Sequence, residues 1–351
     1  MASIKPPPAI AQDPLALAMW ARGLYFKDRV DEAVEAGLAA VESAPGDREV
    51  RDLVGSAFSA NVAPYHVQML NDGRRNRAYV QGIESAVRPG MRVLEIGTGA
   101  GLLALIAARA GAQVHTCERN PATAATARIV AERNGFGDRI HVIAKLSTDV
   151  IVGEDIPERA DLLLSEVFGQ RLFNEGVIDS IADARSRLVK PGAPVVPPRA
   201  EIRCALVDTI TKADRADIGM VEGFDLSAAN LLAPPSVNWL ECKAATAQRR
   251  SPPQSALARD FGSEPPFGDD SDTIELVSEG GQVNGVAQWL RIDFGDGIVH
   301  ENDPFRHAQS SWGRPIALLP RPIATKPGDV VRVRLRRIGR ELMISLERTA
   351  T

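Results

Sequence analysis

The chain has 351 residues, 44% of them hydrophobic and 25% charged, with a formal net charge of −4. That exceeds one average domain, supplies enough apolar content for ordinary cores, and argues against nucleic acid as the main partner, because phosphate contacts need a basic face. Three scattered cysteines, Cys117, Cys204 and Cys242, argue against a disulfide framework, and neither they nor the five histidines show metal-ligand spacing.

The first residues, MASIKPPPAIAQDP, lack the apolar core and cleavage site of a leader, and no run of about eighteen apolar residues occurs, so a cytoplasmic protein with no membrane partner is expected. From about Asp13 to Pro45 the sequence reads as two amphipathic helices broken near Lys27-Asp28. Ala21, Leu24, Ala33, Ala40 and Pro45 fall close to the spacing of one tetratricopeptide repeat, which residues 13–50 resemble. A single repeat cannot bury its own apolar face, so it must dock, either as padding for the next domain or as an arm for a partner or substrate. Trp20 and Tyr25 read as packing residues between the helices.

Strands and helices alternate over residues 54–197, as a doubly wound α/β sheet requires. The helix candidates are PYHVQMLNDGRRNRAYVQGIESAV, GLLALIAARAG, PATAATARIVAERNG and EGVIDSIADARSRLV; the strand candidates are RVLEIG, VHTCE, IHVIA, DLLLSE and APVVP. Pro197-Pro198 marks a boundary, since neither residue can donate to a ladder or continue a helix. Residues 198–351 are strand-rich with Gly/Pro turns, which suits a barrel or sandwich. Within them, Ala216 to Leu226 reads as a short helical segment, Gln248 to Asp270 as an exposed loop, and DTIELVSE, GQVNGVAQWLRIDF, PIALLPRP and DVVRVRLRRI as separate strands. Arg332, Arg334 and Arg336 alternate with apolar residues, the mark of a strand with one wet face rather than an anion site.

Two motifs carry chemistry. In VLEIGTGAGLL a strand breaks into glycines and then a helix, so the backbone can approach a ligand and the helix end offers unpaired N–H donors. Glu118 ends the next strand about twenty residues after Gly97, where an acid can accept both ribose hydroxyls. The glycines Gly97, Gly99 and Gly101 fall as G-x-G-x-G with Glu95 two residues ahead, which favours S-adenosylmethionine over a dinucleotide. The second motif is SEVFGQRLFNEG, with Glu166 and Glu175 at the two ends of a loop that follows the apolar run Leu162-Leu163-Leu164. Such a pair is ordinarily solvated surface; beside a cofactor motif, at the carboxyl edge of a parallel sheet, it is suited to grip a guanidinium, whose planar fork of donors matches two carboxylates.

With these motifs the chain, from roughly residue 56 onward, resembles the protein arginine methyltransferases, and its trailing Glu-Gly is similar to their seventh and ninth members. The segment from His66 to Arg75 resembles the family's helix that closes over the cofactor. The resemblance implies a class I S-adenosylmethionine-dependent methyltransferase domain, a C-terminal β-barrel-like substrate domain, and a dimerisation arm at about 209–235, hence a homodimer. It also implies that Arg75 pairs with the methionine carboxylate, Met69 lines the reacting centre, and Ser147 and Thr148 contact adenine. Trp312 and Ser311 would then stand beside the acceptor. Ser311 occupies a position where the family carries histidine, and the aromatic pair that often precedes the closing helix is absent.

The chemistry so implied is in-line transfer of methyl to an arginine nitrogen of a protein or peptide. Glu166 and Glu175 draw the positive charge toward the nitrogens they bind and leave the attacking nitrogen a freer lone pair. The alternatives are a small-molecule methyltransferase with a cationic acceptor, and a catalytically silent scaffold; retention of Arg75, Glu95, Glu118, Glu166 and Glu175 together argues against the latter.

Overall fold

A computed structural model describes residues 5–59, 62, 65–209, 218–232, 236–238, 247–265, 267–307 and 309–347. The chain divides into two compact units, Met1–Glu166 with Asp183–Val196, and Val167–Ala182 with Pro197–Thr351.

The first unit opens with four helices, α1 (Pro8–Ala11), α2 (Pro14–Tyr25), α3 (Val30–Ser43) and α4 (Arg48–Phe58). Asp13 and Asp47 begin α2 and α4 by accepting backbone N–H groups of the first turn. Asp28, at φ 56, makes the expected break after α2. The sequence reading anticipated α2 and α3 but neither α1 nor α4. Leu17, Ala18, Ala40 and Val50 form the bundle's core, with Trp20 packed against it. Gly37 allows α3 and α4 to approach, since a Cβ there would lie 2.8 Å from the Phe58 ring.

Next come α5 (Tyr65–Asn71), α6 (Gly73–Ala86), β1 (Arg92–Ile96), α7 (Leu102–Arg109), β2 (Gln113–Cys117), α8 (Pro121–Arg133), β3 (Ile140–Ile143), β4 (Leu162–Ser165), α9 (Val177–Arg187) and β5 (Val195–Val196). The single long helix expected before β1 is two helices. Asp72 separates them, its carboxylate accepting from the Arg75 N–H at 3.1 Å and so starting α6. The five strands lie in the order β3-β2-β1-β4-β5, with all neighbours parallel. The chain runs outward from β1 in both directions, so a crevice opens at the carboxyl ends of β1 and β4, where such sheets bind ligands. Val34 of α3 joins Ala122 and Ala125 of α8 in one buried cluster, with Tyr25, Val30, Phe58 and Ile129 packed on it. The N-terminal bundle is therefore docked on the α/β layer, and Arg128 of α8 pairs with Asp31 at its edge.

The second unit is antiparallel. Its strands are β6 (Arg199–Asp208), β7 (Met220–Val221), β8 (Phe224–Asp225), β9 (Ser236–Asn238), β10 (Gln248–Arg249), β11 (Gln254–Asp260), β12 (Ser271–Asp293), β13 (Val299–Glu301), β14 (Pro315–Ile338) and β15 (Glu341–Leu346). All but β7 and β8 form one eight-stranded, barrel-like sheet around the path β10-β6-β12-β14-β15. Trp289 is fully buried, in a cluster with Ala205, Val207, Ala287 and Ile316.

Three expectations are corrected here. The stretch read as an exposed loop holds β10 and β11, with Ala256, Leu257 and Phe261 buried; flanking prolines and charges masked a strand of only 7 residues. The four separate strands are two long ones, β12 and β14, and the glycines and prolines taken as turns are irregularities in their pairing, with register shifts at Val277/Glu279 and Val283/Gly285. The segment read as helical is, in its described part, the β7–β8 hairpin turning at Glu222-Gly223, followed by a 3₁₀ helix at Ser227–Leu232; residues 216 and 217 lie outside the described residues.

Burial pushes the Cys117 and Cys204 thiols up to about 12, and both are unbridged; Cys242 lies outside the described residues. Among the described residues no helix is long and apolar enough to cross a membrane, and no group of three or more His, Cys, Asp or Glu could hold a metal ion.

Because Val34 sits in the cluster shared by α3 and α8, Val34→Asp places an unpaired carboxylate there and should lower unfolding free energy by about 3 kcal/mol. Urea unfolding against a Val34→Leu control checks this; equal midpoints would show that the bundle is not integral to the first unit.

Candidate active site

The sheet's carboxyl edge is built from β1 outward. After Ile96 the chain turns through Gly97, Gly99 and Gly101 at φ 83, 53 and 87, values that favour glycine, and Gly101 then begins α7 with no side-chain cap. The first N–H groups of α7 thus lack a capping side chain and form a ready anion-facing end. Glu118, immediately after β2, ties the turn down: one carboxylate oxygen accepts from the Gly99 N–H at 3.1 Å, the other from the Asn120 N–H at 2.9 Å. Each oxygen keeps a second acceptor site for a hydroxyl. A Cβ added at Gly99 would meet only the His66 imidazole, at 3.8 Å, so α5 lies over the turn with space beneath it.

Deeper in β1 is Glu95, fully buried. Its Oε2 accepts from the Thr116 hydroxyl at 2.6 Å, and Thr116 in turn shares a hydrogen bond with the Thr98 hydroxyl. Glu95 Oε1 is buried with no hydrogen-bond partner among the described residues. Burial raises the Glu95 pKa to about 8; the Thr116 hydrogen bond opposes this, and the charges of Glu118 and Glu166 add to it. At neutral pH the group is mostly a protonated acid, joined through Thr116 of β2 to Thr98 of the glycine turn.

The buried face of α6 carries Arg75 and Tyr79, one helical turn apart. The Arg75 guanidinium lies 4.9 Å from the Tyr79 ring centroid and pairs with Glu166 at 3.0 Å; the two side chains are 3% and 7% exposed. Its other terminal nitrogen donates to the Asn76 carboxamide at 2.9 Å, and the Tyr79 hydroxyl donates to the Ser165 carbonyl at 3.4 Å. Sequence reasoning missed Tyr79, although its spacing from Arg75 was a usable signal. It also missed Asn120, whose place before Pro121 is the mark of a helix start.

Arg75, Glu95, Gly97, Gly99, Gly101, Glu118 and Glu166 therefore gather around β1, β2, β4 and α6 of the first unit. Met69 is half-buried on α5. Ser147 is buried and Thr148 exposed on a 3₁₀ turn after β3, whose carbonyls accept from Arg187. Glu175, Ser311 and Trp312 belong to the second unit. Glu175 is exposed on a turn closed by the Gly176 N–H donating to the Phe173 carbonyl at 3.0 Å. Trp312 is buried with its ring 5.3 Å from that of His300, and Ser311 beside it is half-buried. Glycine turn, open hydroxyl acceptors, helix end and buried orphan oxygen together fit an adenosine-bearing cofactor with a charged amino-acid tail.

Residues 77–196 match the family model described as ribosomal protein L11 methyltransferase (PrmA). An arginine N(omega)-methyltransferase of Streptomyces achromogenes subsp. streptozoticus is 34% identical over 281 residues, covering 78% of this chain and 76% of that protein. Protein arginine N-methyltransferase 7 of Danio rerio is 34% identical over 252 residues, 65% of this chain but only 36% of that protein. Among solved structures, the Trypanosoma brucei PRMT1 enzyme-prozyme heterotetrameric complex with AdoHcy matches with a TM-score of 0.70 over 82% of this chain and 93% of that one. An open conformation of Arabidopsis thaliana protein arginine methyltransferase 10 matches at 0.65 over 80% and 89%. Both are 22% identical to this chain and bear on the fold alone.

The raised pKa of Glu95 has a definite sign in stability. The unfolded chain releases this proton near 4.5 and the folded chain near 8, so the contribution is fully present below about 4.5 and is lost as pH rises to about 8. Glu95→Gln, isosteric and permanently neutral, should gain thermal stability relative to the parent between pH 5 and 8. Parallel melting curves at both pH values would contradict a protonated Glu95.

Proposed function

The chain belongs to the arginine N-methyltransferase family, and from that premise we propose how its residues divide the work of S-adenosylmethionine-dependent arginine methylation. When bound, S-adenosylmethionine supplies a methyl group activated by a positively charged sulfur. In this reading Glu118 accepts the ribose hydroxyls, and Gly97, Gly99 and Gly101 carry the backbone against the cofactor. Glu95 holds that turn in place, Ser147 and Thr148 flank adenine, Arg75 meets the methionine carboxylate, and Met69 lines the reacting centre. Glu166 and Glu175 grip the acceptor guanidinium and polarise it toward the nitrogens they hold, with Trp312 and Ser311 beside it. Serine is a poor base, so an acid of the pair or a water takes the departing proton.

The observation that carries this assignment is the buried Arg75–Glu166 ion pair. It joins the group assigned to the cofactor's tail to the first acid assigned to the acceptor. With five donors on one planar fork, Arg75 can orient Glu166 and meet a second carboxylate.

The acceptor proposed is an arginine exposed on a protein or peptide. One observation favours a second reading, free arginine or a similar small cation: the Streptomyces relative, matched over most of both chains, is named for arginine without mention of protein. The proposed assembly is a homodimer built on the arm after β6. Its support is a concentration of exposed apolar side chains, including Phe224 at 71%, Leu231 at 90% and Leu232 at 86%. A reducing cytoplasm suits the two unbridged thiols. The tetratricopeptide-like hairpin, in this proposal, is padding docked on α8.

Glu175→Gln and Glu166→Gln should each lower turnover on the order of 10²-fold. Only Glu166→Gln should also lower the melting temperature, because it strips Arg75 of its buried partner. Labelled S-adenosylmethionine in a lysate, split into protein and small-molecule fractions, separates the two acceptors. Label unchanged by Glu175→Gln would remove the loop from the mechanism, and no label in either fraction would favour a silent scaffold. Phe224→Asp with Leu231→Asp should halve the mass seen by light scattering; an unchanged mass argues against the arm.

A further inference from the structure

The turn that carries Glu175 is gripped from behind by charges that the transfer itself does not use. Phe173, two residues before Glu175, is 1% exposed, and its carbonyl closes the turn by accepting from Gly176. Two guanidiniums approach the ring, Arg259 at 5.0 Å and Arg337 at 5.9 Å from its centroid. Both converge on Asp270: Arg337 donates to the two carboxylate oxygens at 2.6 and 2.9 Å, and Arg259 stands 3.6 Å away. Arg259 is itself fixed by donating to the Ala258 and Asp269 carbonyls at 3.0 and 2.6 Å.

Filling a core would need only an apolar neighbour. Two cations that repel one another, one of them 3% exposed, are an expensive way to pack a phenyl ring unless the ring must be held in one orientation. The rest of the loop is equally constrained. Leu172 is held at φ 67, and a Cβ at Gly169 would overlap the Asn174 carboxamide. Arg340 lies against Gly176, where a Cβ would sit 3.1 Å from its guanidinium.

We infer that Arg259 and Arg337, organised by Asp270, form a cation–π clamp on Phe173 that fixes the Glu175 turn and so acts as a positioning device for recognition of the acceptor guanidinium. The inference rests on the reading of Glu175 as an acceptor-binding acid. A displacement of the carboxylate by about 1 Å is enough to cost on the order of 10²-fold in rate.

The test compares the full chain with Phe173→Leu, Phe173→Trp, Arg259→Lys and Glu175→Gln. Initial rates are taken with free L-arginine and with a short arginine peptide, and scored on whichever the parent labels faster. S-adenosylhomocysteine affinity and melting temperature are recorded for each. Phe173→Leu should lower kcat/KM for the acceptor by about tenfold to a hundredfold with S-adenosylhomocysteine affinity unchanged. Phe173→Trp, which keeps a π face, should recover most of that loss, and Arg259→Lys, which keeps the charge but not the planar stack, should fall between. If Glu175→Gln is impaired while Phe173→Leu and Arg259→Lys match the parent, the clamp is overturned and the acid's role stands. If Glu175→Gln also matches the parent, the acid's role falls and takes the clamp with it. Should Phe173→Leu fail to melt as a folded protein, Arg259→Lys decides.

Discussion

Removing the Glu166 carboxylate from water costs several kcal/mol unless a cation meets it in a well-oriented pair, and in this chain that cation is Arg75. The guanidinium is placed by its position on α6, by Asp72 starting that helix, and by the Tyr79 ring beneath it. Tyr79 in turn reaches the Ser165 carbonyl at the end of β4. Strand end, helix start and acid loop are therefore linked through one desolvated charge pair. Any change that loosens α6 also loosens the acid. The same economy appears on the neighbouring strands, where Glu118 accepts from Gly99 in the glycine turn and from Asn120 at the start of α8 and still keeps acceptor sites free for a hydroxyl.

The candidate acids are of three kinds. Glu95 is buried without a cation and rises to about 8, so it serves as a neutral hydrogen-bonding group; Glu166 is buried with one. Glu175, in the second unit, is exposed on a turn closed by the Gly176 N–H and the Phe173 carbonyl. The three acids thus differ in character because of what surrounds them, not because of the residue type.

The parallel layer was legible because its signals are local. An apolar strand, a glycine turn and an acid after the next strand can each be read within a few residues, and β1, β2, β3 and β4 fall where the apolar runs stand. The second unit was less legible because its signals are long-range. β11 looked like a loop because prolines and acids flank it, and only pairing with β6 reveals it as a strand. That misreading hid Arg259. Arg337 was equally hidden: it falls in the same inward register as Val333 and Leu335, where an apolar residue is expected, and only the position of Asp270 shows what meets a charge there. Gly280, Gly281 and Pro327 read as turns, yet in a ladder of 23 residues facing 24 they lie beside shifts in register that do not end the strand. At Asp72 the apolar pattern ran on through a helix boundary that only the capping carboxylate marks.

The chain's two excursions between units have a consequence for synthesis. Residues 167–182 leave the first unit before residues 183–196 return to complete its sheet with β5. Phe173 finds its cationic neighbours only on β11 and β14, far downstream. A nascent chain emerging from the ribosome can assemble the glycine turn and its acids early, while the Glu175 segment waits unsupported until nearly the whole polypeptide has been made. The glycine turn therefore has its partners in hand before the Phe173 segment gains its neighbours on β11 and β14.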